Sequence, residues 1–421
     1  MKIQRLLLIA LSVFTTTLVF GQQVERAQSS ESVQSRFDTL RTEGYDAMYN
    51  LDYEGARRHF KEMIDLFPNH PAGRQSMAAS LWLEQLNRSW ELRASLYRAE
   101  SYYSGKKAPV DIRRMEEFCR WTKAARQLAE ARLRSDPRDT EALYFLGATE
   151  GLTAFAAATD RRFMAALTDG SRSVDRHREV LKIAPDFHDA ELTIGLYSYI
   201  VGSLPLPVRV LAGTMGVRGS KKRGLETLER VAKEGRWARD VARVLLIDLY
   251  KREKRWPEAL AVSRELAQKY PRNYIFKLQM ADALVSQLAF LRKMKGESAS
   301  PGGAEQREAF GIFDSLLREE TSQRHTATPG VLALIHFRYG EALLVTGLPE
   351  RAVKEFAAVS SQIDAEPGLA VVGRLRAAQS LDLAGRRSEA VAEYRNVLRS
   401  PDTYHAHEEA RRGLREVYHL R

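Results

Sequence analysis

One spacing constrains this chain more than any other. A small residue is followed twelve positions on by alanine, and four later by an aromatic: Gly44, Ala56, Phe60; Gly340, Ala352, Phe356; Ala378, Ala390, Tyr394. Turn-forming residues stand just ahead of each alanine: Asp52 to Gly55, Gly347 to Glu350, and Gly385 to Glu389. Arg255-Trp256-Pro257-Glu258 before Ala259 is the same device, and Pro68 and Pro271 follow where the helix should stop. The pattern is that of two antiparallel helices per unit. The small residue lets the first helix approach its partner, the alanine marks the crossing on the second, and the aromatic fills the wedge between units. Pro257 and Pro349 fall in the first turn of the second helix, where a missing N–H costs nothing. The closing proline ends that helix.

A unit of about 34 residues with this layout resembles the tetratricopeptide repeat. The resemblance implies an all-α helical-hairpin solenoid, a right-handed superhelix, here with long insertions. Gly147, Gly195, Ala309 and Phe313 are further packing positions of the same kind. The units run about 37–70, 140–187, 188–239, 240–273, 274–323, 333–366 and 370–402, with residues 71–136 divergent but helical in pattern. A glycine- and serine-rich loop is expected over 293–306, and a capping helix over 408–420 with the polar outer face that such arrays need.

The N-terminus reads as an address. Lys2 and Arg5 precede the uncharged stretch Leu6 to Phe20, and Gly21 follows. That is the layout of a secretory signal peptide, 1–21, with a flexible lead-in over 22–35 and the solenoid over 36–421. The alternative is an uncleaved anchor, and membrane association is expected only by that route. The expected location is periplasmic or secreted. Among 421 residues Cys119 is the single cysteine, so an internal disulfide is excluded and packing alone must hold an exported chain together. The net charge is +11, spread along the chain.

Residues 188–224 depart most from the repeat. Leu192 to Val208 carries no charge and includes Tyr197, Tyr199, Pro205 and Pro207; Arg209, Gly213, Gly216, Arg218, Gly219 and Lys221-Lys222-Arg223 follow. One reading is a buried helix, a proline-bounded turn and a connecting helix. The other starts from three cations in a helix's first turn, which oppose its dipole and suit an anion. Tyr197, Tyr199, Arg218, Lys221, Lys222 and Arg223 are therefore the candidate partner-binding residues, for an anionic ligand or acidic partner. The glycine spacing is not a phosphate-binding loop, because no Gly-Lys-Ser/Thr closes it. The order Gly195-Leu196-Tyr197, Ser203-Leu204-Pro205, Gly213 to Gly216, Gly224-Leu225 to Leu228, Leu245-Leu246 and Leu249-Tyr250 resembles the tetratricopeptide family of fungal inclusion-body clearance proteins and their animal relatives, over about 190–285. That family's motif defines no catalytic residue.

No hydrolase elbow, zinc-protease motif or dinucleotide fingerprint occurs, so no catalytic, cofactor or metal residue is assigned. His405 and His407 point apart on a helix and make a poor clamp. Cys119 is expected to be buried. Nucleic acid is excluded as a partner, because the chain reads as exported and shows no nucleic-acid module. The expected function is a non-catalytic scaffold of the cell envelope that binds protein or peptide in a groove lined by first helices, with Tyr45, Asn50, Tyr144, Glu150, Tyr197, Arg338 and Arg374 as lining residues. The alternative is a small-molecule or lipid-binding accessory of a transport system, with 151–159 and 192–208 lining an apolar pocket.

Overall fold

The computed structural model describes residues 33–88, 111–214, 218–295, 303–322 and 329–419. The signal-peptide and anchor readings fall outside them, as do 22–32 of the lead-in; a helix is already under way at 33. The chain divides into two compact units, residues 1–84 with 112–176, and 85–111 with 177–421. No strand occurs among the described residues.

In the first unit, α1 (33–49) and α2 (Tyr53–Leu66) form the first hairpin. Asp52 caps α2 by accepting the Gly55 N–H at 2.8 Å. Phe60 is fully buried, and a Cβ on Gly44 would overlap its ring. The aromatic thus closes its own hairpin as well as the wedge to the next. Helices α3 (Pro71–Arg88) and α4 (Ile112–Ser135) pack through Trp82 on Phe118, and Glu84 joins Arg57 of α2 at 2.6 Å and Arg114 of α4. Residues 71–136 therefore supply a hairpin that the aromatic pattern does not mark. Helices α5 (Thr140–Thr159) and α6 (Phe163–Ile183) follow, with the Ser173 hydroxyl donating to the Gly147 carbonyl at 2.7 Å. The extra length of this unit is taken up as longer helices.

In the second unit, a short 3₁₀ turn (His188–Ala190) leads into α7 (Glu191–Ser203). Then come α8 (Leu206–Thr214) and α9 (Lys221–Glu234). Four regular hairpins follow: α10 (Arg239–Arg252) with α11 (Trp256–Lys269), α12 (Tyr274–Lys295) with α13 (Ala304–Ser322), α14 (Val331–Val345) with α15 (Pro349–Ser361), and α16 (Pro367–Leu383) with α17 (Arg387–Arg399). Helix α18 (Ala406–Arg415) closes the array. Of the expected loop over 293–306, residues 296–302 lie outside the described residues; 293–295 and 304–306 are helical rather than loop, because the flanking helices run on into it. From α9 to α18 each helix packs on its sequence neighbours, the arrangement of an all-α, tetratricopeptide-like helical-hairpin repeat.

A single backbone device turns the hairpins. The residue five positions before the key alanine is left-handed: Leu51 (φ 66°), Lys254 (φ 59°), Gly347 (φ 78°) and Gly385 (φ 77°). Arg161 (φ 58°) does the same before Ala166. That exposes a register hidden in the sequence: four after Ala166 stands Gly170, not an aromatic, facing the Ala154 methyl at 3.9 Å from where its own Cβ would be.

First and second helices are built differently. Helix α15 buries one stripe, Ala352, Phe356 and Val359, and α17 repeats it with Ala390, Tyr394 and Val397. Ala259, Ala309, Phe313 and Ala378 occupy the same seams, and Phe313 stacks on Tyr339 of the next hairpin at 4.9 Å. First helices are buried nearly all round, ten residues of α14 and eleven of α16. A helix apolar on every side belongs in a core.

Candidate functional site

Because the first helices are buried, their few charged residues matter. Four successive first helices of the second unit each place a polar pair at i and i+3: Asp248 and Lys251 on α10, Gln279 and Asp282 on α12, Arg338 and Glu341 on α14, Arg376 and Gln379 on α16. These join end to end. Lys251 Nζ donates to Asp282 at 2.7 Å and to Gln279 at 2.6 Å. Asp282 also pairs with Arg338, which donates to Glu341 at 2.7 Å. Glu341 lies 3.4 Å from Arg376, and Arg376 donates to Gln379 at 2.8 Å. The Lys251, Asp282, Arg338, Glu341 and Arg376 side chains are 11–20% exposed, so water reaches them without screening them fully. Burial pushes the Asp282 carboxyl up, but Lys251 and Arg338 outweigh it and hold it below the usual carboxylate range.

Of the expected groove residues, Arg338 joins this ladder. Arg374 lies 3.9 Å from Glu393 instead, and the Asn50 amide donates to the Asp46 carbonyl within its own helix. Tyr45 lies part-buried with its ring against Phe60. Tyr144 and Glu150 are not groove residues: they are 6% and 3% exposed, because α5 is buried on nearly every side. Glu150 Oε2 has no hydrogen-bond partner; burial holds its carboxyl above the usual range, against the opposing pull of Arg126, Arg176 and Arg172. Lys251, Asp282, Glu341 and Arg376 were missed. Their i, i+3 recurrence on alternate helices was the available signal.

The expected partner-binding residues divide. Tyr199 is 3% exposed and packs with Leu196, Leu225, Leu228 and Leu246. It is a core residue rather than a contact residue. Its hydroxyl donates to Glu253 Oε1 at 2.7 Å, and Lys221 Nζ donates to the same oxygen at 2.8 Å from beside the Tyr199 ring. Burial, then the Glu253 carboxylate, pushes the Tyr199 hydroxyl up to about 12. Hydrogen bonds from Lys221 and Tyr199 hold Glu253 below its ordinary value. Lys221 is thereby committed to the protein, and Tyr197 is part-buried. Arg218, Lys222 and Arg223 remain on the outside, Lys222 with 86% of its side chain exposed and 4.0 Å from Glu226. Ser220 caps α9 by accepting the Arg223 N–H at 3.3 Å, so part of the helix N-terminus is already satisfied.

Glycines make this corner possible. Gly195 and Gly224 bring α7 and α9 together backbone on backbone; a Cβ on Gly224 would lie 2.5 Å from Tyr199 N and 2.6 Å from Gly195 O. Gly202 and Gly219 seat residues 219–221 on the end of α7 in the same way. On the connecting helix α8, Leu206 is 63% and Val210 60% exposed, and Ile200 near the end of α7 is 51% exposed. Within the 192–208 stretch, Leu196 and Tyr199 fill the core while Ile200 and Leu206 face solvent. In 151–159, Ala156 and Ala157 are buried and Phe155 is exposed.

Cys119 is exposed, contrary to its expected burial, because it falls on the outer face of α4. Among the described residues no group of three His, Cys, Asp or Glu side chains could hold a metal ion. His407 Nε2 pairs with the Ser400 carbonyl at 2.8 Å, and His405 begins α18 at φ 60°.

The class defined by this architecture is the tetratricopeptide-like helical-hairpin repeat. No family model matches the chain, and no curated protein matches it. Solved structures similar to it include the human IFIT1 dimer with PPP-AAAA, at 11% identity and a TM-score of 0.41, over 90% of this chain and 84% of that one. The human IFIT1 dimer with m7Gppp-AAAA gives a TM-score of 0.42 at the same identity and coverage. A tetratricopeptide repeat protein from Parabacteroides merdae covers 81% of this chain and 99% of its own, at 13% identity and a TM-score of 0.28. The exclusion of nucleic acid as a partner is corrected by these comparisons. IFIT1, among the similar solved structures, is itself solved with PPP-AAAA and with m7Gppp-AAAA.

Proposed function

We propose that the chain is a non-catalytic interaction scaffold of the cell envelope, exported by its N-terminal segment, and that its partner is a protein segment carrying charges of both signs. The ladder from Lys251 to Arg376 carries this reading. It places three cations and two anions in one line across four helices, each part-exposed and already paired. A partner bearing both signs exchanges one ion pair for another and leaves no buried charge alone, whereas a partner of one sign strands half of the ladder. Export is supported by Lys2 and Arg5 ahead of the uncharged stretch Leu6 to Phe20 and by Gly21 after it.

The test is capture of partners from an envelope fraction with the wild-type chain and with Arg376→Ala, which removes the end of the ladder and leaves the Asp282 pairs in place. Proteins retained by the wild type and lost from the variant, with unchanged thermal unfolding, support the scaffold. An identical set of proteins from both chains contradicts it.

A further inference from the structure

Helix α8 is a poor piece of protein interior. It is nine residues long, and Leu206, Pro207, Arg209 and Val210 in its first half are exposed. Ile200, near the end of α7, is also exposed, at 51%. Its surroundings are of one sign. From residue 192 to 225 there is no Asp or Glu, while Arg209, Arg218, Lys221, Lys222 and Arg223 supply five positive charges. Lys221 is spent on Glu253 and Lys222 stands 4.0 Å from Glu226. Arg209, Arg218 and Arg223 are exposed and have no ion-pair partner among the described residues. The glycine contacts at 202 and 219, with the Arg209 guanidinium donating to the Gly202 carbonyl at 3.2 Å, bring the start of α8 and the start of α9 to the same end of α7. Apolar and basic groups therefore share one corner.

We propose that this corner docks on an anionic lipid surface, with Leu206, Val210 and Ile200 entering the headgroup boundary and Arg209, Lys222 and Arg223 meeting lipid phosphates. Exposed apolar residues beside exposed cations, Arg209 and Arg223 among them without an ion-pair partner among the described residues, are the two components of interfacial binding. A second copy of the chain is disfavoured, since it would bring five like charges against five. A nucleic acid would use the cations and leave the aliphatic side chains in water. No described helix is long and apolar enough to cross a membrane, so the contact is peripheral. This site differs from the one expected for membrane association, which lay in the N-terminal segment.

The test is sedimentation of the full chain with phosphatidylcholine vesicles and with phosphatidylcholine vesicles containing phosphatidylglycerol. Wild-type protein is expected to favour the anionic vesicles and to lose binding as salt rises. Lys222→Ala with Arg223→Ala should weaken binding about fivefold for each charge removed. Leu206→Ser with Val210→Ser should weaken it on anionic vesicles while leaving unfolding unchanged. Both variants keep the apolar N-terminal segment, so binding through that segment would survive in them. Equal binding to both vesicles, no binding to anionic vesicles, or variants that bind as wild type does would overturn the proposal. So would an acidic protein that competes for the same residues when vesicles do not.

Discussion

Hairpins α14–α15 and α7–α9 solve one packing problem in opposite ways. In the first, Gly340 receives a phenyl ring: Phe356 is fully buried, and a Cβ on Gly340 would lie 2.7 Å from its Cε1. The helices stand apart by the thickness of that ring, and a left-handed Gly347 joins them in three residues. In the second the glycines meet backbone rather than a ring edge. Gly195 and Gly224 let the backbones touch, and the glycines at 202 and 219 hold the returning chain against α7. A seam closed by backbone contact needs no side chain from the connection. The connection is therefore free to carry α8 with Leu206 and Val210 exposed. The aromatic seam spends its sequence on folding, and the glycine seam releases some of it for the surface.

Phe356→Ala should break the first seam with the largest effect. It leaves a ring-sized cavity beside Gly340, and denaturant unfolding should report a loss of about 3–5 kcal/mol. Gly224→Val attacks the second seam from the other side, by overpacking. The new side chain meets the Tyr199 and Gly195 backbones, which cannot yield as a side-chain end would, so a loss of about 3 kcal/mol is expected. Gly340→Ala should cost less than Gly224→Val, because a ring edge can tilt. Equal losses would show that the two seams do not differ in kind.

A third prediction concerns α5–α6, where neither device is used and Gly170 faces Ala154. Here Glu150 is buried with an unpartnered oxygen, whereas Asp282 in the ladder is paired. Their pH dependences should oppose each other. The raised Glu150 carboxyl favours folding while protonated, and that contribution fades as pH rises from about 4.3 through its folded value. Glu150→Gln should therefore raise the neutral-pH melting temperature by roughly 2 °C, with the gain vanishing in acid. Asp282 is depressed, so its contribution is complete above about 3.9 and is lost as pH falls through the folded value. Melting curves from pH 7 down to acid check both signs.

These differences also explain what could be read from the sequence. The seams at Phe60, Phe356 and Tyr394 were legible because a glycine or alanine, a turn and a ring recur at one spacing. The α5–α6 register was not, since Gly170 replaces the ring and Arg161 adopts a backbone that glycine takes elsewhere. The α7–α9 corner was legible as an irregularity, and its cations were visible. That Lys221 would turn inward to Glu253 and Tyr199 was not, because the pairing joins residues on three different helices. The ladder was hidden for the same reason: Asp282 meets Arg338 across 56 positions of sequence. Burial of Tyr144 and Glu150 could not be told from groove lining, because both demand the same position on a first helix.

The aromatic seams hold the fold, and α8 is a surface that the fold only carries. The direct measurement is the unfolding free energy of Leu206→Ser with Val210→Ser beside that of Phe356→Ala in the same chain. A change within about 0.5 kcal/mol is expected for the α8 pair and a loss several times larger at Phe356. A loss at α8 as large as that at Phe356 would contradict it, since the helix would then be part of the core.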